Sequence, residues 1–297
     1  MKIGAVIQAR LSSERFPGKV LKPLPYNSAI SVLEQVISRT MRAQRLHEIV
    51  VATTTDVPDL GICEVADRTG VRWYRGSREN VLERYYQASK ESGLDIIVRI
   101  TADCPCADPS IIDRLIELHM DSGADYTSNC KERTFPHGLD AEVISFNALR
   151  RAHQEAKEDF ELEHVTPYIY RTNPGGFRIR DLKADEELNA PDIRITLDTR
   201  EDYTLLCAVF DFLYTENNVF SARDIVALFR KKPWLGMINE KVMQKKASLS
   251  VQEEIAEALR VLELQELLRA REILGSAFLK GTGDHAQKKT ERYGKRA

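Results

Sequence analysis

A chain of 297 residues with 43% apolar side chains can bury a substantial core, as one large α/β domain or a domain with an appendage. Its 43 basic and 45 acidic side chains leave a formal net charge of −2, so no overall positive field favours nucleic acid and local clusters of cations call for local ligands. Five cysteines (Cys63, Cys104, Cys106, Cys130 and Cys207) form no C-x-x-C pair, which suits reduced thiols in a cytoplasmic protein better than a disulfide framework or a zinc site.

The first strand is predicted over Lys2–Ile7, where Ile3, Ala5, Val6 and Ile7 make the near-continuous apolar run of a central parallel strand. That run is too short for a signal-peptide core, and no segment approaches the roughly 20 apolar residues of a membrane span, so a soluble protein is expected. The loop that follows reads QARLSSERFPGKVLK from Gln8 to Lys22 and places Arg10, Arg15 and Lys19 at the carboxyl end of the strand. This mixture suits a polyphosphate: arginine grips phosphate oxygens with a planar fork, and lysine supplies a compact, mobile charge. Backbone donors at Leu11, Ser12 and Ser13 can complete the cradle. Any loop between strand and helix can also carry exposed cations, and Pro17-Gly18 is an ordinary turn signal. The P-loop pattern is absent, since Gly18-Lys19 is followed by Val20 and has Ser13 five residues before Gly18. No G-x-G-x-x-G follows the strand, so a dinucleotide site has no support.

A helix is predicted from about Ser28 on the stripe Ile30, Leu33, Val36 and Ile37. Strands at Glu48–Thr53, Val71–Tyr74 and Asp95–Ile100 alternate with helices at Pro58–Arg68 and Asn80–Ser92, and Pro109 opens a helix to Asp121. This alternation argues for an α/β fold with a mostly parallel sheet flanked by helices. From Tyr126 the pattern becomes mixed, with strands at Ala141–Ser145 and Phe177–Leu182 around helices at Asn147–Lys157 and Glu161–Arg171. A short strand at Asp192–Leu197 leads to a helix opening near Arg200. The main domain is expected over 1–235 and a helical extension over 236–280. In the extension, Val251, Ile255, Leu259 and Leu262 share a stripe that Leu264, Leu267, Leu268 and Leu274 continue after a phase shift. Such a helix either docks on its own domain or forms a dimer. Residues 281–297 lack any apolar period and are expected to be disordered.

Ligands of an open parallel sheet sit beyond the carboxyl ends of its strands, so the residues after Ile7, Thr53 and Ile100 should converge and Asp103 should face the cationic loop. A carboxylate there repels polyphosphate unless a divalent cation lies between them, and Mg²⁺ takes one or two carboxylates with phosphate oxygens and water. Asp103 thus reads as a metal ligand or as a turn residue ahead of Pro105. Asp198 stands before Thr199 at a helix start, where either residue is a good cap.

Four stretches together resemble the cytidylyltransferases that activate acidic sugars, the acylneuraminate and 3-deoxy-manno-octulosonate enzymes, and in particular the spore-coat polysaccharide biosynthesis branch. They are Ile7–Lys19, Val98–Pro105, Glu161–Tyr170 and Arg194–Asp202, and the likeness spans roughly residues 1–230. The resemblance implies a nucleotide-diphospho-sugar transferase-like, Rossmann-related fold that transfers CMP from CTP to an acidic sugar with release of pyrophosphate. It implies that Arg10, Arg15 and Lys19 are catalytic and that Asp103 and Asp198 hold Mg²⁺. Nucleotide contacts would come from Ala9, Leu11, Ser12, Ser13, Thr53, Arg75, Ser77, Asn80, Thr101 and Ala102. Ala102 stands where relatives usually have glycine, which narrows the site by a methyl group. The portion 126–182 would cover the acceptor, with His137, Asp140, Glu142, Glu161 and His164 as its polar set and Arg133, Arg171 or Arg194 for a carboxylate. A homodimer is expected, with no nucleic-acid or membrane partner. Two other readings remain open: a nucleotidyltransferase acting on a phosphonate or phosphate ester, and a non-catalytic nucleotide-binding or assembly protein. A glycosyltransferase is disfavoured, since no D-x-D occurs in the chain.

Overall fold

The computed structural model describes residues 1–215, 219–242 and 251–278. They belong to two compact units, Met1–Val242 and the described part of Met243–Ala297. The tail expected to be disordered, 281–297, lies outside the described residues.

One seven-stranded sheet organises the first unit. Its strands are β1 (Ile3–Gln8), β2 (Glu48–Thr54), β3 (Arg72–Gly76), β4 (Ile96–Thr101), β5 (Tyr126–Ser128), β6 (Glu142–Ser145) and β7 (Ile179–Asp181), in the order β3-β2-β1-β4-β6-β5-β7. The first four run parallel, whereas β6 is antiparallel to both β4 and β5. Strand side chains alternate between two buried faces. Ile3, Ala5 and Ile7 of β1 meet α1 (Val32–Thr40), α2 (Leu60–Thr69), α4 (Pro109–Asp121), α7 (Arg200–Leu213) and α8 (Ala222–Lys231). Val6 meets α3 (Val81–Glu91), α5 (Phe146–Glu155) and the segment after α6 (Asp159–His164). Burial on both sides is why β1 reads as an almost unbroken apolar run.

Local signals set most helix starts. Ser31 and Glu34 close a capping box on α1, so the helix begins at Val32, later than the expected Ser28. Asp108 caps α4 ahead of Pro109, and α4 has the predicted ends. Two expectations for the first unit need correction. The helix expected over Glu161–Arg171 stops at His164, because Val165 adopts φ 73° and Pro167 disfavours helix just before it; the chain resumes as a π-turn over Tyr168–Thr172. The strand expected over Asp192–Leu197 is an extended linker with one bridge, Arg194 to His137. Its Ile195 amide donates to His137 (2.7 Å) and its Leu197 amide to Asp103 (2.8 Å), so its partners are two loops instead of a neighbouring strand.

In the second unit α9 (Val251–Leu264) ends where the stripe changes phase. Glu266 takes φ 57° and a further helix runs over 268–278, so the expected single helix is two. No described helix is long and apolar enough to cross a membrane.

Candidate active site

The chain builds β1, β2 and β3 outward in one direction and then places β4 on the other side of β1, so a crevice opens beyond the carboxyl ends of β1 and β4. Gln8 is level with Ala52 and Thr101, and Thr53 with Arg75, which brings the predicted loops to one edge. The loop after β1 is pinned by the Leu11 amide, which donates to the buried Asp59 carboxylate at 2.8 Å, and by the Gly18 amide, which donates to the Leu11 carbonyl at 3.0 Å. Gly18 adopts φ 69°, a left-handed turn that glycine makes at little cost, and it aims the short turn Lys19–Leu21 into the protein.

Lys19 is therefore 8% exposed, and its ammonium sits between the two acids singled out in the sequence. Its Nζ donates to Asp103 Oδ2 at 3.0 Å, to Asp198 Oδ1 at 3.0 Å and to the Leu197 carbonyl at 2.5 Å. Arg15 reaches Asp198 Oδ1 from the outside at 3.1 Å. Burial pulls the Lys19 pKa down, but the two carboxylates outweigh it and hold the ammonium above its ordinary value. Burial likewise pushes Asp103 up, yet Lys19 and a hydrogen bond from Thr101 bring it down to about 2. The pair is ionised throughout the neutral range.

Behind Asp198 stands a second layer. Arg194 donates to Asp198 Oδ2 at 2.9 Å and to the two oxygens of Asp202 at 3.0 Å each, and its third nitrogen lies 3.1 Å from His137 Nδ1. Asp202 also accepts from the amides of Asp198 (2.9 Å) and Thr199 (3.1 Å) and from Asn239 (2.8 Å). This layer answers the question of which arginine meets an acceptor carboxylate in one respect: Arg194 is already committed. Its role was not legible, although Thr199-Arg-Glu-Asp202 is a recognisable capping box.

The other predicted residues fall into two groups. Thr53 and Ser12 carry buried hydroxyl oxygens with no partner among the described residues. Ala9 and Ala102 are buried beside them, with amides bonded to Ala52 and Gln8; Ser13 turns back onto Leu11, and Thr101 lies 3.2 Å from the Cys104 sulfur. Arg10 is half-buried in the same loop. By contrast, Arg75 ties the loop after β2 through the Thr54 and Asp56 carbonyls, Asn80 caps α3 and Ser77 bonds the Asn80 amide. Of the acceptor set, His137 and Asp140 adjoin the acid cluster, with Asp140 paired to Arg133 and 3.6 Å from His137. Glu142 is instead drawn inside the sheet, paired with Arg99 and accepting from Tyr126 and Thr166. Glu161 is buried and closes the capping box of α6, and His164 ends that helix, which packs on α3. Glu142 and Glu161 thus have partners in the sheet and in the cap of α6.

No group of three or more His, Cys, Asp or Glu among the described residues could by itself hold a metal ion. Asp103 and Asp198 nonetheless fit a hard divalent cation that keeps several waters, since both are carboxylates converging on one point, the Lys19 ammonium.

Cations on a loop after the first parallel strand, facing two acids across the switch point, define an α/β enzyme that handles nucleotide phosphates. The chain belongs to the cytidylyltransferase family, whose model matches residues 5–232; it is a nucleotidyltransferase. It is 38% identical over 248 residues to an uncharacterized protein of Methanocaldococcus jannaschii, covering 82% of this chain and 97% of that one. It is 35% identical over 230 residues to the spore coat polysaccharide biosynthesis protein SpsF of Bacillus subtilis, covering 77% and 94%. A cytidylyltransferase structure from Leptospira borgpetersenii superposes with a TM-score of 0.75 at 30% identity, covering 82% of this chain and all of that one.

Proposed function

We propose that this enzyme transfers CMP from CTP to an acidic-sugar acceptor, with release of pyrophosphate, for the synthesis of a surface polysaccharide or glycoconjugate. The observation that carries this reading is the Lys19 ammonium held between Asp103 and Asp198, with Arg15 at its rim. An acceptor oxygen attacks the α-phosphorus in line, and charge grows on the phosphate oxygens as pyrophosphate leaves. Fixed cations at Arg10, Arg15 and Lys19 lower that barrier more than they tighten ground-state binding. Asp103 and Asp198 would hold a divalent cation such as Mg²⁺, which supplies further charge neutralisation at the phosphate. The buried hydroxyls of Ser12 and Thr53 line the nucleotide side, and His137, Asp140 and Arg133 the acceptor side. The kinship to SpsF supports a polysaccharide role, and buried free thiols at Cys63, Cys104 and Cys106 suit the cytoplasm. The homodimer expected from the sequence belongs to the same reading.

The test follows pyrophosphate with each of the four ribonucleoside triphosphates against acidic sugars, a phosphonate and a phosphate ester. CTP with an acidic sugar should be the productive pair. Arg15→Ala or Lys19→Ala should lower kcat on the order of 10²–10³-fold while the protein stays folded. Near-normal turnover in both variants would refute their assignment.

A further inference from the structure

The proposed reaction needs Asp103 and Asp198 to face a divalent cation, yet both accept from Lys19. We propose that Lys19 is a resident stand-in for that cation: its ammonium keeps the metal site closed until a nucleoside triphosphate arrives, so that metal and triphosphate enter together and not metal first. This inference rests on the reading of the site given above.

Three observations carry it. The ammonium has three acceptors, Asp103, Asp198 and the Leu197 carbonyl, which is its full complement of donors, so it is seated and not merely nearby. The site is balanced in charge, with Arg15, Lys19 and Arg194 against Asp103, Asp198 and Asp202. A metal ion arriving alone must therefore part a buried ammonium from both of its carboxylate partners, which is costly in a poorly solvated place. A triphosphate changes that balance. It offers Lys19 new anionic partners just as the metal offers the carboxylates a new cation, and each buried charge exchanges one partner for another. The exchange needs only the side chain to move, because Val20 next to it is buried at 2% exposure and holds the turn, while the lysine stem has four flexible carbons.

The probe is Mn²⁺, its binding to the full-length protein followed by electron paramagnetic resonance with no acceptor present and no turnover. Wild type should bind Mn²⁺ weakly alone and tightly when the α,β-methylene analogue of CTP is added. Lys19→Met should bind Mn²⁺ alone at least about tenfold more tightly than wild type. Arg15→Met removes the same unit of charge but leaves the ammonium seated, and should gain less than about threefold. Equal Mn²⁺ affinity in wild type and Lys19→Met, or an equal gain in Arg15→Met, would overturn the inference while leaving the nucleotidyl-transfer reading intact, provided the analogue still recruits the metal. Absence of Mn²⁺ binding to every form, with and without the analogue, would overturn both. Should Lys19→Met fail to fold, the melting temperature of wild type decides: it should rise with Mn²⁺ plus the analogue, and an equal rise with Mn²⁺ alone would end the proposal.

Discussion

Arg194 divides one planar guanidinium among Asp198, Asp202 and His137, and a lysine could reach only one of them well. Asp202 has no exposed side-chain surface, so its charge depends on that fork and on the amides and Asn239 around it. The fork fixes Oδ2 of Asp198 and leaves Oδ1 for Lys19 and Arg15. With Asp198 in its proposed role as a metal ligand, Arg194→Lys should lower kcat by about 10–100-fold, the usual cost of losing the group that orients such a ligand. Steady-state kinetics beside a melting curve checks this, and unchanged turnover would show that Asp198 needs no such support. At this scale the sequence was informative about the actors and poor on their pairings. Arg15, Lys19 and Asp103 stood out because they follow the carboxyl ends of parallel strands, where ligands of such a sheet sit. Arg194 looked like one of three interchangeable cations, since nothing local says that its partner lies eight residues on and belongs to a helix cap.

Among the elements, the loop from Thr134 to Asp140 shows how tightly the site's margin is fitted. Gly138 has φ 112°, and a Cβ there would lie 2.6 Å from the backbone carbon of Ile195. Only a residue without a side chain lets this loop lie flat on the linker that carries Arg194, with His137 bridged to it. Gly138→Ala should cost about 1–3 kcal/mol of stability and shift His137 away from Arg194. Urea unfolding measures the loss, and a change within error would mean that the two segments can part freely. The linker also explains the misread strand. Ile195, Thr196 and Leu197 are all buried and Ile193 partly so. Apolar residues in an extended chain report that it is buried, not that a strand lies beside it. Strands β1, β2 and β4 were legible because their apolar runs are longer. The three-residue β5 gave too little pattern to stand out.

For the whole molecule, pH stability should turn on histidines buried in neutral form. His119 of α4 is 3% exposed, with Nδ1 3.1 Å from the Thr127 hydroxyl, and burial drives its pKa down to about 4 although Asp125 opposes the shift. His137 moves in the same direction, with burial again the leading cause. A depressed folded value means that the unfolded chain binds protons first, so stability is full above about pH 6.5 and falls as pH drops towards 4. His119 alone should account for a loss of about 3 kcal/mol at most. Urea unfolding at pH 7.5 and 5.0 should show a shallower fall in His119→Gln than in wild type, and parallel falls would remove His119 from the account.

Lys19 meets Asp103 across 84 positions and Asp198 across 179, and Asn239 braces the assembly from further still. During synthesis, the nascent chain carries its cationic loop long before the acids that discipline it have left the ribosome. A product halted after β7 would own the cationic loop and one carboxylate but no closed cluster. Closing the cluster thus requires the segment from Arg194 to Asn239, which is made after every strand of the sheet.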